Sequence, residues 1–159
     1  VEPLFLGGHP AADFLNTALE PDGEHIETIG DGRAFIAWLV AADLIDAAQG
    51  ARLSRRLGVK GADAAAADAR KLREWSREWL ERWRKAPHAR YEDELETLNA
   101  YLSRESLRRE VVTTKDGLEL RTHAQLDESG AILALLAAMI AALVTEEDAS
   151  LLRTCAGPA

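Results

Sequence analysis

The sequence predicts a mainly α protein, a helical bundle with one antiparallel β-hairpin packed on it, an α+β arrangement dominated by helix. Apolar residues recur at spacings of three and four along most of the chain. A 15-residue apolar run, "GAILALLAAMIAALV" from Gly130 to Val144, reads as a buried core helix. Only "LRREVVTTKDGLELRTHA" carries a strand signal. At 159 residues and 47% hydrophobic, the chain fits one domain with a core of its own.

The elements follow in order. "PLFLGG" is a short extended stretch ended by two glycines, and Pro10 suits the first position of a helix running to about Ala18. Asp31 is a natural N-cap for a second helix, with Phe35, Trp38, Leu39 and Ala42 on one face. "DAAQGARLSRRLG" reads as a third, capped by Asp46 and terminated by Gly58. From Asp63 to Ala86 Leu72, Trp75, Trp79 and Trp83 stack at helical spacing, and Pro87 ends the run. Tyr91 to Ser103 gives a further helix with Leu95, Leu98 and Leu102 inward. Strands are expected at Arg108–Thr114 and Leu118–Ala124, joined by a type I′ turn at Asp116-Gly117, whose central residues both need positive φ. A two-stranded hairpin is marginal alone, so it should pack against helices, with Ala131–Val144 the natural partner.

Charge narrows the function. Nineteen basic against 27 acidic residues give −8, which repels phosphate backbones and makes this chain a poor nucleic-acid binder. The basic runs "RLSRRLGVK" and "RESLRRE" read as solvated faces and helix-end charges, or as contacts for an acidic partner. One cysteine excludes an internal disulfide, and the apolar run falls short of the roughly 20 residues that span a bilayer. A cytoplasmic protein without a membrane partner is expected.

"GGHPAADFLNT" holds the richest chemistry. On a helix from Pro10, His9, Asp13, Asn16 and Thr17 share one face and Ala11, Phe14, Leu15 and Ala18 the other. The polar four could converge on a small ligand, or form a solvated face that ties down the first turn. His9 and Asp13 at i, i+4 are two metal ligands without a marked third. No G-x-S-x-G elbow and no thiol near a histidine point to a hydrolase, so no enzymatic activity is expected. His25, His88 and His123 stand isolated. The tryptophan stripe of the fourth helix could be core, a docking face or a ligand cage.

Two stretches together resemble a known family. "LGGHPAADFLNT" resembles the N-terminal signature of the ABATE domain, with its Gly-Gly-His, Asp-Phe and Asn-Thr, and "LLRTC" resembles the segment by which that domain enters a C-terminal CGNR zinc finger. Proteins of this kind are described as stress-induced transcription regulators. The resemblance implies a ligand-sensing domain over residues 1–150 and the start of a zinc-finger domain at 151–159. By it His9, Asp13, Asn16, Thr17 and Arg153 would meet an unknown small molecule, Arg153 reporting occupancy, and Cys155 would be the first zinc ligand. Zinc would then belong to the complete protein and DNA contact to its finger; one cysteine here cannot hold the metal. The family often has larger aliphatics where Pro10 and Ala12 stand. The competing expectation is an interaction or dimerisation module, possible as a homodimer, that uses the tryptophan face and takes no ligand.

Overall fold

The computed structural model describes residues 8–20, 23–126 and 128–149. Their order is α1 (Pro10–Leu15), β1 (Ala18–Leu19), β2 (Ile26–Glu27), α2 (Gly32–Ala41), α3 (Ala47–Lys85), α4 (Glu92–Leu102), β3 (Leu107–Thr114), β4 (Gly117–Ala124) and α5 (Ser129–Glu146). The fold is mainly α, as the periodicity predicts.

Helix α3 organises the molecule. Its start is a capping box: the Asp46 carboxylate accepts from the Gln49 amide at 2.7 Å while Gln49 Oε1 accepts from the Asp46 amide at 2.8 Å. At Gly58 the backbone turns to φ 64°, ψ 179°, a region open essentially to glycine alone, and the helix resumes at once. The expected third and fourth helices are thus two arms of one element: residues 47–57 and 59–85.

The long arm buries a file of small residues, Ala62, Ala65, Ala66 and Ala69, then Leu72, Trp79, Leu80 and Trp83. Small side chains let α2 come close. A Cβ on Gly32 would lie 2.3 Å from the Ala62 carbonyl carbon, so only glycine fits there. Asp63 Oδ1 accepts from the Gly32 amide at 2.9 Å and Asp31 from the Ala34 amide at 2.8 Å, which closes the exposed end of α2. Phe35, Trp38 and Leu39 of α2 are buried as expected, and Trp38 meets Phe14 of α1 at 5.7 Å between rings.

Helix α5 is the other core element, with Leu136, Ala137 and Ile140 fully buried against α1, α3 and α4. By length and composition alone it could cross a membrane, but half of it is buried inside the bundle. Trp79 and Trp83 are also core and Trp75 is half-buried beside them; Trp79 packs on Trp75 at 5.5 Å and on Tyr91 at 6.2 Å. In α4 Leu98 is buried, but Leu95 is 46% exposed and does not face inward.

Three local expectations change. Helix α1 stops at Leu15, because the Thr17 hydroxyl donates to the Phe14 carbonyl at 2.7 Å and Thr28 donates its amide and hydroxyl to the Thr17 carbonyl at 2.8 and 2.7 Å. That pairing starts the small β1–β2 ladder, Ala18 opposite Glu27 and Leu19 opposite Ile26. The β3–β4 connection is Lys115-Asp116, not Asp116-Gly117; Gly117 has φ 126°, whereas Asp116 is not left-handed, so this is not a type I′ turn. And the hairpin stands clear of α5. On one face Glu110, Val112 and Thr114 of β3 are half-buried while Arg108, Glu119, Arg121 and His123 are exposed, and on the other Leu107, Val111, Leu118 and Leu120 are 52–79% exposed.

Candidate functional site

The "GGHPAADFLNT" segment folds as its capping chemistry dictates. His9 is the N-cap of α1, its Nδ1 accepting from the Ala11 amide at 3.1 Å, with Pro10 following at N1. Asn16 is the C-cap, its amide bonded to the Ala12 and Phe14 carbonyls. Asp13 is half-buried. Thr17 is 2% exposed and turned into the protein, so the four polar residues do not form one open face. Arg153 and Cys155 lie outside the described residues.

Three arginines of α3 hold this segment. Arg73, only 2% exposed, makes a fork-to-fork pair with Glu27, Nη1 to Oε1 at 2.9 Å and Nη2 to Oε2 at 2.7 Å. Its Nη1 also donates to the Thr17 hydroxyl at 2.8 Å, and Nε to Glu74 at 2.7 Å. Arg70 donates to the Ile29 and Gly30 carbonyls at 2.8 and 2.7 Å, and Arg77 to those of Leu15 and Ala18. At i, i+3 and i+7, the three face one side of the helix and tie down Leu15, Thr17, Ala18, Glu27, Ile29 and Gly30.

Burial pushes the Glu27 carboxyl up, but the Arg73 guanidinium, the Ile29 amide and the Arg70 charge outweigh it and hold the group below the ordinary carboxylate value. Burial likewise disfavours the Arg73 charge, and Glu27 and Glu74 more than offset it. All three nitrogens of Arg73 donate to protein, and Arg70 and Arg77 each donate to two carbonyls, so the cluster acts as a clasp.

A second polar convergence is open. Between the short arm of α3 and the base of the hairpin lies a cleft of about 460 Å³, within the range of small-molecule sites. Arg52 and Arg56, one turn apart, face it from α3. Arg108 and His123, directly opposite in the β3–β4 register, face it from the hairpin. Two carboxylates also line it, both engaged: Asp46 caps α3 and Glu110 pairs with His123 at 2.9 Å. Arg52 and Arg108 have no carboxylate partner among the described residues. Leu53 and Leu126 supply an apolar wall.

With this geometry in hand, comparison with known proteins is informative. Residues 8–147 match the profile of the ABATE family, described as "Putative stress-induced transcription regulator". The chain belongs to the ABATE family. No curated protein and no solved structure matches it. The matched span takes in the α1 segment, the arginine clasp and the cleft, and ends one residue past α5.

Neither polar cluster is a metal centre: among the described residues no three His, Cys, Asp or Glu side chains converge. The four-ligand site that zinc requires is therefore not built from the described residues. Sequence reading missed the clasp, although a signal exists. Arg73 continues the buried file Ala62, Ala66 and Ala69 at helical spacing, with Ser76 and Leu80 beyond it, a position that turns its charge inward.

Proposed function

We propose that this ABATE domain is the sensing part of a transcription regulator and that it binds a small organic anion in the cleft between α3 and the hairpin. One observation carries the reading: Arg52, Arg56, Arg108 and His123 converge on an open cleft in a chain of net charge −8. In so acidic a protein, Arg52 and Arg108 facing one cleft without a carboxylate partner among the described residues favour an anionic guest, and Leu53 and Leu126 suit an apolar body attached to it. Arginine forks bind a carboxylate or phosphate in two points, which gives geometry as well as charge.

The chemistry proposed is binding, without turnover. A guest held from both sides would fix the hairpin against the short arm. Arg153 and Cys155, at the junction with the zinc module that the family resemblance implies, are the proposed route to DNA, which this acidic domain itself does not contact. The cleft is preferred here to the helix-one face, because His9 Nδ1 caps α1 and the Thr17 hydroxyl is buried against Arg73.

The test is thermal denaturation with citrate and inorganic phosphate as probes, repeated on Arg52→Ala, Arg108→Ala and Asp13→Ala. A melting-temperature rise that the two arginine variants lose and Asp13→Ala keeps is the expected result. A rise lost only in Asp13→Ala would return the site to α1, and no rise with any carboxylate or phosphate would remove the sensing role.

A further inference from the structure

We propose that β4 is a homodimer edge: two copies of this chain pair their β4 strands antiparallel about Leu120, joining two hairpins into one four-stranded sheet. A two-residue connection makes Thr114 and Gly117 a hydrogen-bonded pair, and the ladder alternates from there. Glu119, Arg121 and His123 therefore turn their peptide groups toward β3, and Leu118, Leu120 and Thr122 turn theirs outward.

That outer edge is undefended. Exposed edges are ordinarily blunted by charge, proline or a bulge. Here the side chains flanking the free peptide groups are Leu118, 79% exposed, Leu120, 63% exposed, and Thr122, and the β3–β4 register runs unbroken. A two-stranded ladder is marginal in water, whereas four strands with an apolar face are stable.

The charge pattern selects the occupant. With Leu120 opposite Leu120 of the second copy, Glu119 falls opposite Arg121 of that copy, and Arg121 opposite its Glu119. Leu118 meets Thr122 on the same face as Leu120. The outward peptide groups at Leu118, Leu120 and Thr122 meet in phase, giving about six inter-chain hydrogen bonds. Glu119 and Arg121 occupy the non-hydrogen-bonded positions of the new ladder, where side chains approach most closely. Both ion pairs thus arise from one two-fold axis, in exchange for the Glu119–Arg121 pair that each chain makes within itself at 3.2 Å. The β3 edge is the poorer choice: the register that pairs Arg108 with Glu110 across an axis there sets Arg109 against its own copy.

Sedimentation equilibrium of the 159-residue chain tests this. A concentration-dependent dimer is expected. Leu120→Pro removes only an outward N–H, so circular dichroism stays unchanged while the dimer is lost. Glu119→Arg, which sets arginine against arginine twice, weakens association about tenfold, and Glu119→Arg with Arg121→Glu restores it. A chain that stays monomeric at 100-fold above micromolar concentration, a dimer that survives Leu120→Pro, or a double exchange that fails to rescue would each overturn the proposal. Ligand response in the cleft is a separate readout, since the edge residues do not line it.

Discussion

The two arms of α3 use arginine in opposite ways. Beyond Gly58, Arg70, Arg73 and Arg77 reach inward, and every contact described for them is with protein. Before it, Arg52 and Arg56 face an open cleft. The same residue type on one helix forms a clasp where carboxylates and carbonyls are folded over it, and lines an open cleft on the other arm. Convergence of polar groups therefore says little until their donors are accounted for.

The sharpest way to break the contrast is Arg73→Ala. It strands Glu27 in a half-buried site and should cost about 3–5 kcal/mol in chemical denaturation. By contrast, Arg52→Ala and Arg108→Ala should leave the melting temperature within about 2 °C of the parent, since neither meets a protein carboxylate. If those variants destabilised as much as Arg73→Ala, the cleft would be a second clasp.

A pH titration comes next. Glu27 has a folded value below its ordinary 4.5, so the clasp contributes fully above that pH and its contribution is lost as pH falls through the lower folded value. Stability followed by urea denaturation should drop in that window in the parent and less steeply in Glu27→Gln. The smallest effect belongs to His9. Removing its cap as His9→Ala should cost about 1 kcal/mol, and His9→Asn should restore most of it. Asparagine restoring stability marks the residue as a cap of α1; failure to do so would mean the imidazole has another partner.

Much of the framework was legible. Asp46 and Gly58 bound the short arm because a capping carboxylate and a positive-φ glycine are local requirements that few residues meet. The core face of α2 and the burial of α5 followed from periodicity and composition. The end of α1 did not, because it depends on Thr28, eleven residues away, competing for the Thr17 carbonyl. The hairpin's strands were legible and its orientation was not: alternation shows two faces, and which one meets the bundle is decided by elements distant in sequence.

At the candidate site the sequence places His9, Asp13, Asn16 and Thr17 on one helical face, whereas in the structure His9 caps α1 and Thr17 is buried against Arg73. The cleft's basic residues are scattered over residues 52 to 123, with no motif to gather them. Arg73 could have been flagged, since a charge set within a file of alanines has to find a buried partner.

Gly58 has a consequence for how signals move. Helical order propagates one hydrogen bond at a time, and a residue at φ 64°, ψ 179° interrupts it. On the proposed binding, a displacement of the short arm would meet this interruption before it reached Arg73. The arm that lines the cleft and the arm that carries the clasp are one continuous stretch of chain, with a single glycine between them.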